Sequence, residues 1–395
     1  MNLKEEALRL HRASKGKIST ASKVKIETKE DLSLAYTPGV AEVCKEIYAD
    51  RNKVFEYTIK SNSVAVISDG SAVLGLGNIG AEAALPVMEG KCAIFKRFAG
   101  IDAFPICLTT QKSDEIIQIV KNIAPVFGGI NLEDISAPRC FEIESALQNI
   151  GIPVFHDDQH GSAIVVLAAL INSAKVVNKK PQDLKIVISG AGAAATAVTK
   201  LLLCFSIDRK ICTPVKEIIL CDSKGIIYDG RHDLDYSKKE ISKITNPSKR
   251  AGTLKDALKN ADVFIGLSKG NLLTKDMIKL MSQKPIIFAM ANPIPEIMPD
   301  EAKEAGAAIV GTGRSDFPNQ INNSLAFPAV FRGALDAKAK SINNEMKIAA
   351  ANALAACVKN PAKDNILPSM FEQGLVKKVS EAVKKTAIET NAIRK

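Results

Sequence analysis

The chain has 395 residues, more than one hydrophobic core usually spans, so two domains are expected. Apolar residues make up 46% and charged ones 24%, which excludes a disordered chain, a fibre and a small stapled scaffold. Fifty-three bases against 43 acids leave a net charge of +10. The lysines are spread along the chain without interleaved aromatics, so the charge reads as solvated surface and no nucleic-acid partner is expected.

The first stretch, Leu3 to Arg12, has helical spacing, and a polar arm follows it. Pro38 and Gly39 then place Tyr36 on a loop, because the residues before a proline are held away from the helical region. Val64–Ser68, Ala93–Phe95, Phe104–Leu108 and Ile152–Phe155 are short apolar runs that read as strands. Helical patterns at Asp114–Ile123 and Ala137–Gln148 lie between them, giving an α/β first domain over residues 1–160. On this reading Lys91 begins a strand.

A long apolar helix at Ser162–Val177 bridges into a second domain, residues 161–395. There strands at Leu184–Ser189, Glu217–Cys221, Asp262–Leu267, Ile286–Met290 and Ala308–Val310 alternate with helices such as Thr196–Phe205. That rhythm predicts a Rossmann-like, doubly wound parallel sheet. The tail, Ile342–Lys395, is helical in pattern and is expected to pack back on the first domain or on a partner subunit.

The longest apolar run, Ala163–Ile171, is far short of a bilayer span, so no membrane segment is expected. Met1–Lys17 lacks the apolar core of a secretory signal, and a cytoplasmic location is expected. The eight cysteines show no C-x-x-C pair and read as reduced core thiols.

Two glycine signatures compete for a dinucleotide. Gly75-Leu76-Gly77-Asn78-Ile79-Gly80 matches G-x-G-x-x-G, and Gly190-Ala191-Gly192-Ala193-Ala194-Ala195 matches the variant ending in alanine. The spacing to the next acid favours the first. The context of strand, turn and small-residue helix favours the second, with Asp222 closing the next strand where a ribose carboxylate belongs. The bland reading of the first is a tight turn passing close to another element.

Glu133, Asp134, Asp157 and Asp158, with His156 and His160, cluster at the ends of apolar runs. Such oxygen-rich groups suit Mg²⁺ or Mn²⁺. The spacing of His156 and His160 keeps zinc as an alternative, although Pro153 and Gly161 make a regular helix through both doubtful. Singly, Glu133 and Asp134 read as helix caps. Lys91 is either a surface residue or, beside a cation that lowers its pKa, a base. Asn292, Asn322 and Asn323 are donors to a ligand or merely turn residues.

The ensemble resembles the malic enzymes, in their short bacterial form, over nearly the whole chain. The resemblance rests on Leu34–Ala41, Val73–Gly80, Met88–Lys91, Phe98–Asp102, Gly128–Ile135, Phe155–Gly161, Ser189–Ala195, Cys221–Gly225 and Ala291–Pro293. It implies oxidative decarboxylation of (S)-malate to pyruvate and CO₂, or the malolactic variant that yields lactate with NAD bound. Lys91 is then implied as general base, Tyr36 as general acid, and Glu133, Asp134 and Asp158 as ligands of Mg²⁺ or Mn²⁺. Gly190, Gly192, Ala193, Ala194, Asp222 and Asn292 are implied for the dinucleotide, NAD ahead of NADP. Asn292, Asn322 and Asn323 are implied for malate, and a homodimer or larger assembly for the whole. One departure stands out: longer forms carry arginine at the position aligned with Ala72, so contact with the substrate's C1 carboxylate must come from elsewhere.

Overall fold

The computed structural model describes residues 3–73 and 75–394, so Leu74 of the Val73–Gly80 stretch and Lys395 at the end of the tail lie outside the described residues. Two parallel sheets carry the architecture. The first holds β1 (Ser63–Ser68), β2 (Asp102–Cys107), β3 (Gly129–Leu132) and β4 (Val154–His156) in the order β2-β1-β3-β4. All its pairs are parallel. β1 is buried along its whole length, as the near-continuous apolar run of an inner parallel strand requires.

The second sheet holds β5 (Lys185–Ser189), β6 (Glu217–Asp222), β7 (Gly225–Ile226), β8 (Val263–Gly266), β9 (Ile286–Ala289) and β10 (Ile309–Thr312). Its order is β10-β9-β8-β5-β6-β7, with only the short β7 antiparallel. The chain reverses its winding between β5 and β8, and this is the doubly wound switch point that the βαβ rhythm predicts.

The Asp157–Val177 helix joins the two units. Length and composition alone would let it cross a membrane. Ile164, Val165, Val166, Ala168 and Ala169 nevertheless have no exposed surface, so its apolar character serves the core. The expected boundary at 160/161 falls inside this one continuous helix. The tail packs back on the first unit as expected, with the Phe371 ring 5.7 Å from the Phe98 ring. Arg394 stands 3.6 Å over the Phe55 ring.

Two expectations are corrected here. Ala93–Phe95 is not a strand, and Lys91 does not begin one. Both lie in the Gly80–Ala99 helix, whose buried residues Ala81, Ala84, Met88, Lys91, Cys92, Phe95 and Ala99 recur at three and four positions. A three-residue apolar run on such a stripe imitates a strand, and only the longer period distinguishes them. The cysteines are not all reduced: Cys204 and Cys212 form a disulfide, their Cα atoms 5.7 Å apart. Cys204 takes a left-handed turn after the Ala193–Leu202 helix, and the loop brings Cys212 back beside Leu201.

The N-terminal arm is different in kind. Its helices Leu3–Ser14, Lys29–Ala35 and Val40–Ala49 bury no residue. The arm is held to the first unit by polar contacts, with Lys17 Nζ donating to Pro86 O at 2.5 Å and Lys23 paired with Asp102 at 3.0 Å.

Candidate active site

Parallel pairing assembles the site. Ile67, Leu132 and His156 are aligned across β1, β3 and β4, so the residues that follow them leave the sheet at one carboxyl edge. These are Asp69 beyond the last β1 residue, Glu133 and Asp134, and Asp157 and Asp158. Ligand sites of open parallel sheets lie at this edge. Asp134 sits at φ +53°, a turn that lets its carbonyl accept from Ala72 N while its own amide donates to Asp158 Oδ2 at 2.8 Å.

One carboxylate oxygen from each of Glu133, Asp134 and Asp158 falls within 4.8 Å of the others. All three are oxygen donors, and Asp134 Oδ2 is buried without a hydrogen-bond partner. Burial, with Asp158 and Glu133 adding, pushes the Asp134 carboxyl up to about 9. Burial also pushes Glu133 up to about 7, against the pull of Lys91. Buried, crowded carboxylates of this kind fit a hard divalent cation, which would relieve both the desolvation and the mutual repulsion.

Lys91 reaches the same cluster from the Gly80–Ala99 helix. Its Nζ lies 2.5 Å from Glu133 Oε1 and 2.5 Å from Asp157 Oδ2, and 4.4 Å from the centre of the Phe327 ring. Burial by itself would push the ammonium down. Asp157, Glu133 and Asp158 outweigh it and hold its pKa above the ordinary lysine value. The expected lowering of Lys91 is therefore not seen with these carboxylates unneutralised.

Neither imidazole belongs to the one group of described residues whose ligand atoms could share an ion. The Asp157–Val177 helix begins one residue after His156 and runs through His160, against the expected break. The His160 ring is engaged, Nε2 with Glu144 at 3.0 Å and Nδ1 with Lys347 at 3.2 Å, while both His156 ring nitrogens are buried and unpartnered.

Asn323 lies close to Asp157, since a Cβ on Gly161 would meet both Asp157 Oδ1 (1.9 Å) and Asn323 Cβ (3.0 Å). Gly161 thus keeps that approach open. Asn322 spends its Oδ1 capping the Asn323–Leu325 turn. Asn292 is exposed, and its carbonyl would stand 2.5 Å from a Cβ on Gly75, so the first glycine motif is a close backbone passage. Tyr36 is not brought to Lys91: its side chain is 66% exposed at the end of the Lys29–Ala35 helix.

The second glycine motif lines a cavity of about 680 Å³ with Gly190, Gly192, Asp222, Lys224, Lys238 and Lys269. Gly190, at φ +120°, has its Cβ direction blocked by Leu267 O at 2.6 Å, and Gly192 opens onto empty space before the Ala193–Leu202 helix. That bare helix start suits a pyrophosphate. The Asp222 carboxylate is gripped by Arg231, with Nη1 at 3.0 Å from Oδ1, and these contacts hold it below the usual carboxylate range despite burial.

Sequence reasoning passed over Asp157 as a partner of Lys91, Glu144 beneath the histidine helix, and Phe327 under the ammonium. Asp157 was visible as one of two adjacent acids. Which faces lysine and which faces the cation depends on the helix start, and the sequence marks that start poorly.

Two family models match: the malic enzyme NAD-binding domain over residues 159–389, and the malic enzyme N-terminal domain over residues 15–114 and 109–148. A bifunctional malic/malolactic enzyme of Bacillus subtilis (strain 168) is 54% identical, covering 100% of this chain and 95% of its own. An NAD-dependent malic enzyme of Geobacillus stearothermophilus is 53% identical, covering 96% of this chain and 78% of its own. The crystal structure of an NAD-dependent malic enzyme from Thermotoga maritima superposes with a TM-score of 0.91 at 49% identity, over 96% of this chain and 98% of that one. A lysine set against buried carboxylates, a cavity at the second glycine motif and these matches together place the chain in the malic enzyme family.

Proposed function

We propose that this chain oxidises (S)-malate at C2, with NAD as the preferred acceptor, and releases C4 as CO₂ to leave pyruvate. The observation that carries the residue roles is the contact of Lys91 Nζ with Glu133 and Asp157, next to three carboxylates arranged for a cation. Glu133, Asp134 and Asp158 would hold Mg²⁺ or Mn²⁺, whose charge polarises the substrate's oxygens and draws off electron density as CO₂ leaves. The nicotinamide supplies the hydride acceptor.

Lys91 takes the proton of the C2 hydroxyl, after the carboxylates around it are neutralised. Asn323, beside Gly161, and Asn292, beside Gly75, donate to the substrate's carboxylates, and Asn322 caps the turn that begins at Asn323. Gly190, Gly192, Ala193 and Ala194 bind the pyrophosphate through backbone N–H groups, and Asp222 accepts from the ribose hydroxyls. In this scheme residues 1–160 supply the base and the cation ligands, residues 161–395 bind the dinucleotide and lend two asparagines to the substrate, and the chain draws on the cytoplasmic cofactor pool.

Tyr36 returns the proton to C3. Its exposure, on an arm that buries nothing and displays Leu3, Leu8, Leu10, Leu34 and Tyr48, supports a homodimer in which each arm completes the partner's site. The test is one spectrophotometric assay with malate and Mn²⁺, run in parallel with NAD and NADP, with pyruvate and lactate quantified afterwards. Pyruvate equal to reduced dinucleotide is expected. Lactate without net reduction would assign the malolactic outcome instead, which the Bacillus subtilis relative's name includes.

A further inference from the structure

A second cavity, of about 390 Å³, is lined by residues of four helices and by the loop after Cys204, with Glu144, His160, Lys200, Ser206 and Lys347 in its wall. It shares none of these residues with the dinucleotide cavity. Lys347 is only 8% exposed. Its Nζ donates to His160 Nδ1 at 3.2 Å and to Asn344 Oδ1 at 3.4 Å. Because Nδ1 accepts, the ring proton sits on Nε2, which donates to Glu144, and the imidazole is neutral. No carboxylate oxygen of a described residue lies within 4.0 Å of the ammonium.

Glu144 does not answer that charge directly. Its oxygens already accept from His156 N at 3.1 Å, Gln159 Nε2 at 3.1 Å and His160 Nε2 at 3.0 Å. A buried ammonium has three donors, and two neutral acceptors leave both a donor and a unit of charge unmatched. Burial pushes Lys347 down to about 8, with Glu144 and Glu345 opposing and Lys200 adding to the push. Lys200 thus supplies a second positive charge at the same cavity.

We propose that this cavity binds a small dianion, a phosphoryl or dicarboxylate group, held between Lys347 and Lys200. The site is connected to the reaction centre. Lys347 is hydrogen-bonded to His160 and His160 to Glu144, and that glutamate accepts from the residues on either side of Asp157 and Asp158. An anion that draws Lys347 away from His160 therefore acts on the helical turn that presents both aspartates.

The test is isothermal titration of the full-length enzyme, saturated with NADH so that the pyrophosphate site is filled. Inorganic phosphate is titrated in one arm and succinate in the other, in wild type, Lys347→Met and Lys200→Met. One anion is expected to bind at one site per chain, with a roughly millimolar or tighter Kd. Both substitutions should weaken it by about tenfold or more, the scale of a lost charge-assisted hydrogen bond. The arm that binds identifies the phosphoryl or carboxylate source. Lys200 is exposed, so Lys200→Met keeps the test valid if Lys347→Met fails to fold. No binding in either arm, or an unchanged Kd in Lys200→Met, overturns the proposal. Binding is the readout, so either failure leaves the proposed malate chemistry untouched.

Discussion

Asp157 Oδ2 lies 2.5 Å from Lys91 Nζ, and Asp157 is outside the three-carboxylate group that would hold the cation. It is the lysine's own counter-ion. Burial lowers the Lys91 pKa while Asp157, Glu133 and Asp158 raise it further, so removing one carboxylate must lower it. Asp157→Asn is expected to move the ascending limb of the kcat/KM profile to lower pH. The lysine also loses its orienting partner, and kcat should fall by about tenfold or more. A profile with an unmoved limb would remove Asp157 from this role.

The carboxylate cluster makes a second prediction, about stability. Asp157 is pushed up to about 6, Glu133 to about 7 and Asp134 to about 9, burial being the largest cause in each. In the folded, metal-free protein these groups keep their protons at pH values where the unfolded chain, with carboxyls near 4, has lost them. The folded state then binds more protons, so stability falls as pH rises from about 4 through those values. Metal-free enzyme should melt at a lower temperature at pH 8.5 than at pH 6. Mn²⁺ should raise the melting temperature more at the higher pH, because a cation competes there with fewer protons. At one hundred times its Kd the ion contributes about 2.7 kcal/mol. Asp158→Asn should abolish most of that gain, and equal Mn²⁺ protection in wild type and variant would exclude Asp158 as a ligand.

The sheets were legible because parallel strands buried on both faces are apolar runs, and Leu184–Ser189 with its glycine turn shows the period plainly. β3 was harder: Gly129–Leu132 begins with glycine and carries Asn131 in its middle, so its four residues carry little strand signal. The Gly80–Ala99 helix was less legible because Ala93–Phe95, on its buried stripe, imitates a short strand. The site's acids were legible as types. Their division between lysine and cation was not, because it depends on which residue opens the helix after His156. The Cys204–Cys212 pair was hidden for a similar reason, since a loop's return path leaves no periodic trace.

Cofactor choice turns on Asp222. Arg231 holds its carboxylate ionised at the edge of the dinucleotide cavity, where it would accept from an unmodified ribose and repel a 2′-phosphate. Lys224 and Lys238 stand on the same wall and favour that phosphate once the carboxylate is gone. Asp222→Ser should raise the KM for NAD by roughly tenfold, the cost of a lost charge-assisted hydrogen bond, and improve kcat/KM for NADP. An unchanged NAD to NADP ratio would show that the discrimination lies elsewhere.

The exposed arm bears on how many chains make one site. Tyr36 is 66% exposed, Lys91 8% exposed, and no residue of the helix that ends at Tyr36 is buried. If Tyr36 acts within its own chain, mixing two dead variants gives nothing, since every site lacks either Lys91 or Tyr36. If it acts across a two-fold interface, the result differs. A dimer of one Lys91→Ala chain with one Tyr36→Phe chain has one site with both residues lost and one with both intact. Random exchange makes half the dimers mixed, so about a quarter of wild-type activity should return. Each variant alone should be reduced by at least about 10²-fold, the scale of a lost proton-transfer group. The measurement is kcat after the two purified variants are co-refolded in equal amounts, with size-exclusion chromatography to establish that mixed dimers have formed. Mixed dimers without recovered activity would return Tyr36 to its own chain's site.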